Sequence, residues 1–417
     1  MSNLIIKGGK RLNGEIVAHG AKNSVLPILA ATILCSGESV IHNCPDISDV
    51  EVSIKILKHL GCECNFSGNT VTVNATTVTA NDIPEDLMRE MRSSVVFLGA
   101  IAARTGSAVI SSPGGCELGP RPIDLHIFAL NRMGFCIKED HGNIYCQRQK
   151  YVDKCVVNLS FPSVGATENT ILAAALTPGK TVIHNAAREP EIIDLAYFLN
   201  KAGAKICGAG LDTIVVYGKE KLTPVEHTVI PDRIAISTYM AATAVTRGEV
   251  LVHNVKPSDM ASVINVFEQA GCLINIYSDK LKLTCAERLK FVPVVRSAVH
   301  PGFPTDAGPP IIAMLALATG TSLFIENIFQ NRYNYIDELK RLGAKISIHG
   351  NLAVVEGAEK LSAAKVKSTD LRGGAALVIA GLAADGETEV THTHHITRGY
   401  ENIEYYLTTL GAEVKRK

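Results

Sequence analysis

Leu339-Lys-Arg-Leu342-Gly343-Ala-Lys-Ile346-Ser-Ile348-His-Gly350-Asn-Leu352-Ala-Val-Val-Glu356 reads as a helix end, a strand, a turn and a second strand. Gly343 falls just past the last apolar position, where a helix ends best on a residue that accepts positive φ. Ile346 and Ile348 alternate with polar residues, Gly350 supplies a turn, and an apolar run follows. Outward from this stretch, the same apolar-x-x-apolar-Gly ending recurs at Leu57 to Gly61, Leu130 to Gly134, Leu199 to Gly203, Phe267 to Gly271 and Leu407 to Gly411. The period is about 70 residues, too long for a common solenoid unit. A second series precedes it: helices rich in small residues end at Gly37, Gly106, Gly179, Gly248, Gly320 and Gly386, each followed by a strand such as Thr181-Val-Ile-His-Asn185. Two interleaved series of six predict six modules, each a helix, a strand, a second helix and a strand pair.

The chain ends carry a further expectation. The sixth module stops at Lys417 after one strand, and Asn3 to Leu12 resembles the missing piece as it stands at Asn351 to Leu361. Residues 1–21 are therefore expected to complete the last module. The predicted fold class is α/β, with two pseudo-threefold domains of three modules each. The first covers 22–230; the second, discontinuous, covers 1–21 with 231–417.

Composition narrows the function. Lys plus Arg and Asp plus Glu are 41 each among 417 residues, so no single sign of charge is built up to meet a nucleic acid or an acidic membrane. The apolar run Ala375 to Ala384 is too short to span a bilayer. Eleven cysteines without a framework pattern, and no basic-then-apolar leader, fit reduced thiols and a cytoplasmic protein.

Aligned repeats show what begins each first helix: Lys22, Arg92 and Ser163 in the first half, Arg233, Asp306 and Arg372 in the second. Helix N-termini present unpaired N–H groups and a partial positive charge, so cations placed there favour an anionic ligand. Asp306 is the odd member, a carboxylate among cations, and reads as a base. The lead-ins to the second helices hold Cys116, Arg121, Arg188, Arg332 and Arg398. Pro113-Gly-Gly-Cys116-Glu-Leu-Gly-Pro-Arg121-Pro122 has six Gly or Pro in ten residues and reads as an exposed loop or lid, with a thiol near an arginine that would lower its pKa. His392-Thr-His394-His395 is a poor metal set, because neighbouring histidines on one short strand rarely converge. Cys62-Glu-Cys64 reads as core, and Gly208-Ala-Gly210 as turn chemistry.

Five segments together carry a resemblance over essentially the whole chain: Gly20-Ala-Lys-Asn23, Pro113 to His126, Asn185-Ala-Ala-Arg-Glu-Pro-Glu191, His300-Pro-Gly-Phe-Pro-Thr-Asp306 and Arg398-Gly-Tyr-Glu401. The sequence resembles the UDP-N-acetylglucosamine 1-carboxyvinyltransferases, which have an EPSP synthase-like fold described as an inside-out α/β barrel. The resemblance implies transfer of the enolpyruvyl group of phosphoenolpyruvate to the sugar 3′-hydroxyl with release of phosphate, without metal or organic cofactor. It makes phosphoenolpyruvate and UDP-N-acetylglucosamine the partners, with no nucleic acid or membrane. By position it implies that Cys116 protonates the enol carbon and Asp306 serves as base. Lys22, Arg121 and Arg398 would hold the phosphate and carboxylate of phosphoenolpyruvate, with Arg332 and Arg372 in support. Asn23, Arg92, Arg121, Pro122, Ile123, Asp124, Leu125, Ser163, Val164, Asp306 and Ile328 would contact the nucleotide sugar. The sequence departs from the family pattern at Phe161 (often Lys), Ala235 (Glu expected), Thr397 (often Asp) and Gly308-Pro309-Pro310 (a Gln-containing stretch). Rival expectations are the sister transferase that uses shikimate 3-phosphate, which lacks this Cys-bearing loop, an idle paralogue, and an RNA-cyclase-type relative.

Overall fold

The computed structural model describes residues 3–111 and 123–417. The chain forms two compact units, residues 20–111 with 123–230 and residues 3–19 with 231–417. Each has its own apolar core, built mostly from aliphatic side chains and alanine, with some Phe, Met and Cys and, in the second, buried Tyr239, Tyr335 and Tyr400.

Among the described residues, six four-stranded sheets repeat one plan. Glu38–His42 pairs antiparallel with Thr70–Asn74, which pairs with Glu63–Ser67; on its other side it runs parallel to the short strand Glu226–Thr228. In the next two sheets the parallel strand is Asp82–Ile83 or Lys154–Asn158. Each is the tail of the preceding module, so the third module's tail closes back on the first sheet. The other unit repeats the cycle with Asn13–Val17, Val294–Arg296 and Lys365–Lys367. Leu4–Lys7 lies between Glu387–Thr391 and Glu413–Arg416, the place that Leu352–Glu356 holds in the fifth module.

The glycine series has a physical basis. Gly61, Gly134, Gly203, Gly271, Gly343 and Gly411 all have φ between +89° and +107°, which a residue with a Cβ takes only under strain. In the earlier series Gly248 differs. There Arg247 takes the left-handed turn at φ 55°, and Gly248 is required because a Cβ would meet the Leu12 carbonyl oxygen at 1.9 Å.

Strands alternate buried and exposed positions, as Lys154–Asn158 does, whereas the first helix of each module is buried nearly all round. That burial explains their small residues. Helices Phe97–Thr105 and Val164–Ala175 approach so closely that a Cβ on Gly99 would lie 2.4 Å from the Asn169 carbonyl oxygen. Arg233–Val245, Gly308–Leu315 and Leu371–Ala383 pack pairwise against one another.

A recurring corner fixes the strand that follows the first helix in three of the modules. Asn43, Asn185 and Asn254 adopt φ near +55°, and their amide groups donate to Val229 O, Leu159 O and Ala18 O at 2.8–2.9 Å. In the fifth module Glu326 stands at that corner, and Asn327 supplies the amide bond, to Ser297 O at 3.0 Å. The symmetry therefore breaks beside Asp306.

Candidate functional site

In the unit of residues 20–111 and 123–230, Lys22 is the first residue of helix Lys22–Thr32. Its ammonium lies 2.7 Å from Asp49 Oδ2, on helix Ser48–His59, with both side chains buried. A buried lysine keeps its charge only beside such a partner. Asn23 is half-buried next to it. Ser24 donates to Asp194 Oδ2 at 2.5 Å, and the other oxygen of Asp194 is 3.0 Å from His227 Nε2, so the start of this helix is anchored on two other elements.

Arg92 opens a 3₁₀ turn, Arg92–Val96, and the α-helix begins at Phe97. The module's first helix thus begins in tighter form than the repeat predicts. Ser163 caps helix Val164–Ala175, its hydroxyl accepting from Ala166 N at 3.3 Å. Val164 is half-buried and Phe161 is exposed. Ile123 is the N-cap of helix Asp124–Arg132, with Asp124 exposed and Leu125 half-buried. Cys116, Arg121 and Pro122 lie outside the described residues.

His126 connects these two helix starts. Asn169 accepts from Gly99 N at 2.6 Å, so its amide nitrogen donates to Val95 O at 2.9 Å and to His126 Nδ1 at 2.8 Å. His126 Nδ1 therefore carries no proton. Burial, opposed weakly by Asp124, pulls the imidazole pKa down to about 4. The ring lies over the first turn of the neighbouring helix, where a Cβ on Gly165 would come within 3.0 Å of it. Deeper in the same helix, burial and then Glu191 and Glu189 push the Glu168 carboxyl well above the usual range.

In the unit of residues 3–19 and 231–417, Arg233 follows the capping residue Asp232, and Arg372 follows the capping residue Asp370 by two. Asp306 lies in the 3₁₀ turn Thr305–Ala307, just before helix Gly308–Leu315. Pro309 and Pro310 are tolerated there because first-turn N–H groups have no helical partner. Asp306 Oδ1 accepts from Arg332 Nη2 at 2.8 Å, and Oδ2 from Arg372 Nε and Nη2 at 3.4 and 3.3 Å. Both arginines are buried. Burial alone would pull the Arg372 pKa down; Tyr400, Asp306 and Asp232 beside it outweigh that and hold it above the usual value. Its guanidinium sits 5.2 Å over the Tyr400 ring.

Sequence reading missed Asp49 and Glu326. Glu326 is buried, and its carboxylate accepts from Ser297 Oγ, Thr305 Oγ, Ile328 N and Phe329 N at 2.7–3.1 Å. It thereby ties the Ile328 loop to the turn carrying Asp306. The signal available was the broken repeat, Glu where asparagine stands in three other modules. Arg398 is half-buried at the end of the 3₁₀ turn Thr393–Arg398. Burial, then His394 and Arg398, bring the neighbouring His395 down to about 4. Among the described residues, no group of His, Cys, Asp and Glu gathers to hold a metal, and no helix is long and apolar enough to cross a membrane.

Repeated α/β modules of this plan define an enolpyruvyl-transferase class of fold. The structure of the enolpyruvyl transferase NikO from Streptomyces tendae matches with a TM-score of 0.89 at 25% identity, over 100% of this chain and 99% of that one. EPSP synthase from Acinetobacter baumannii shares the fold, with a TM-score of 0.76 at 16% identity over 100% and 99%. The family model for EPSP synthase (3-phosphoshikimate 1-carboxyvinyltransferase) matches residues 6–407, and the chain belongs to that family. Within it, the chain is 50% identical to UDP-N-acetylglucosamine 1-carboxyvinyltransferase 2 of Caldanaerobacter subterraneus, covering all of both chains. It is 48% identical to UDP-N-acetylglucosamine 1-carboxyvinyltransferase 1 of Symbiobacterium thermophilum, over 99% of this chain and 94% of that one. The enzyme of Thermotoga petrophila with the same activity in its name is 44% identical, over 100% and 99%.

Proposed function

We propose that this protein transfers the enolpyruvyl group of phosphoenolpyruvate to the 3′-hydroxyl of UDP-N-acetylglucosamine and releases phosphate. The observation that carries the reading is identity of 44% to 50% along the whole chain to proteins named for that activity. The reaction is an addition followed by an elimination. The sugar oxygen bonds to C2 of phosphoenolpyruvate as C3 gains a proton, giving a tetrahedral ketal. C3 then loses a proton and the C2–O bond to phosphate breaks. No redox step is involved, and the reading calls for no metal or organic cofactor.

Cys116 is the acid toward C3, and Asp306 accepts the proton of the 3′-hydroxyl. Phosphoenolpyruvate brings about three negative charges, so desolvating it needs several fixed cations. Lys22, Arg121 and Arg398 take the phosphate and carboxylate, with Arg332 and Arg372 in support. Asn23, Arg92, Pro122, Ile123, Asp124, Leu125, Ser163, Val164 and Ile328 contact the nucleotide sugar. The buried pairs Lys22–Asp49 and Asp306 with Arg332 and Arg372 support these roles, since each places a charged group at the start of a module. The two units are the two three-module domains. The activity supplies a peptidoglycan precursor in the cytoplasm, away from any nucleic acid or membrane.

The family model is named for transfer to shikimate 3-phosphate, so that acceptor is the second reading. Phosphate release from phosphoenolpyruvate by purified protein, with either acceptor, decides between them. Release with the nucleotide sugar alone is expected; release with shikimate 3-phosphate alone overturns the proposal. If Cys116 is the acid, the epoxide fosfomycin inactivates the enzyme by alkylating its thiol. Cys116→Asp then turns over and escapes the drug, because a carboxyl can also donate the proton.

A further inference from the structure

The two oxygens of Asp306 are both committed, Oδ1 to Arg332 and Oδ2 to Arg372. The arginines are not equally served in return. Arg332 Nη2 also donates to the Thr305 carbonyl at 3.2 Å, but buried Nε of Arg332 and buried Nη1 of Arg372 have no hydrogen-bond partner among the described residues. Nearby acids accept hydrogen bonds from other groups. Asp370 accepts from Arg372 N and Gly373 N, Asp232 from Ile234 N and Ala235 N, and Glu326 from two hydroxyls and two backbone N–H groups. Two desolvated guanidinium groups thus both donate to the Asp306 carboxylate, and each keeps a buried N–H group without an acceptor among the described residues. Burying such donors without an acceptor is costly, and an arriving anion relieves that cost.

We infer that Asp306 is the resident counter-ion of an anion subsite formed by Arg332 and Arg372, and that an anionic group of phosphoenolpyruvate displaces it, freeing a carboxylate oxygen for the hydroxyl proton. The inference rests on the transferase reading above and adds a regulation to it: the base becomes available only when the enolpyruvyl donor is bound. Before binding, the lone pairs facing the arginines are taken up by N–H groups. After the exchange the arginine N–H groups face the substrate anion, and the Asp306 oxygen can accept the proton as the sugar oxygen bonds to C2. The arrangement keeps the acceptor hydroxyl from being activated with nothing to attack.

The experiment is calorimetric titration of the full-length protein with phosphoenolpyruvate at low salt and without acceptor, comparing wild type, Asp306→Asn and Asp306→Glu. Removing the competing charge is expected to tighten phosphoenolpyruvate binding at least tenfold in Asp306→Asn while turnover is lost; Asp306→Glu, which keeps the charge, gains no affinity. Thermal melting with inorganic phosphate gives a second readout should Asp306→Asn prove too unstable for titration. Phosphate is expected to raise the melting temperature of the variant more than that of the wild type. Equal or weaker binding by a folded Asp306→Asn, or an equal rise in melting temperature, overturns the exchange. Wild type that turns over while Asp306→Asn gains nothing overturns the exchange alone. Wild type that neither binds phosphoenolpyruvate nor releases phosphate with any acceptor overturns the transferase reading, and the exchange with it.

Discussion

Lys22 and Asp306 stand at equivalent turns of their modules, yet the two units neutralise charge there in opposite ways. Lys22 is paired with Asp49 at 2.7 Å, and the side chains are 9% and 1% exposed. Asp306 is shared between two buried arginines. The first pair joins a buried ammonium to a buried carboxylate and holds a cation in place. The second leaves buried guanidinium N–H donors without an acceptor among the described residues. The difference teaches that a repeated scaffold can supply a fixed cation at one module and an exchangeable anion at another, by changing which groups face each buried charge.

The largest effect expected from breaking this comparison is on turnover. Lys22→Met and Arg372→Met should each lower kcat/KM for phosphoenolpyruvate by about three orders of magnitude, roughly 4 kcal/mol of transition-state stabilisation. Steady-state phosphate release measures it. Stability separates the two. Lys22→Met takes the ammonium away from the buried Asp49 carboxylate, at a cost of about 3 to 5 kcal/mol. Adding Asp49→Leu should restore the urea midpoint without restoring activity. Arg372→Met leaves Asp306 on Arg332 and should lose less stability than Lys22→Met. An Arg372 variant as unstable as the Lys22 variant would remove the distinction between the two charge clusters.

A smaller effect, about 2 kcal/mol, concerns pH. His126 is neutral in the folded protein, with its pKa pulled down to about 4 by burial against an ordinary value of 6.5. The unfolded chain binds a proton below about pH 6.5 and the folded one does not. Stability is therefore full above that pH and falls as pH drops toward 4. Between pH 7 and pH 5 the loss from this group is roughly 2 kcal/mol. His126→Gln, which can still accept from Asn169, should flatten the urea midpoint over that range. His395, also lowered to about 4 but only half-buried, adds a weaker dependence in the other unit, so a residual slope is expected. An unchanged slope in His126→Gln would mean that the imidazole does not reach the folded state neutral.

The module count was legible because each helix end needs a glycine with positive φ, and that demand recurs in the sequence wherever the geometry recurs. The parallel fourth strands were not legible. Asp82–Ile83 and Glu226–Thr228 have two and three residues, too few to show a period, and their partners are set by threefold closure rather than by neighbours in sequence. At the site, the repeat alignment placed Lys22, Arg233 and Arg372 at or beside the first residue of a helix. It could not foresee that Asp306 and Arg92 lie in 3₁₀ turns, because tightening of a first turn depends on packing. The pairing of Asp306 with Arg332 and Arg372 spans 26 and 66 residues, and no local pattern encodes it. Asp49 was hidden for the opposite reason: an acidic residue in a helix's first turn is ordinary there, and only burial beside Lys22 distinguishes it.

The smallest effect tests whether the contrast between the units extends to their helix caps. Asp232 Oδ1 accepts from Ile234 N and Ala235 N at 2.8 and 2.9 Å, and Asp370 makes the same pair of bonds with Arg372 N and Gly373 N. In the other unit Ser163 makes one bond, at 3.3 Å, and the helix that begins at Lys22 has no side-chain cap. A charged cap closing two N–H groups also favours the helix dipole, so Asp232→Ala should cost about 1 to 2 kcal/mol and Ser163→Ala about 0.5 to 1. Asp232→Asn separates the contributions, since the amide oxygen still caps while the charge is gone. If Asn recovers most of the loss, the cap is a hydrogen-bonding device common to both units. If it recovers little, the charge is what matters at position 232. The unit holding the shared carboxylate would then balance its arginines through its caps as well as through Asp306.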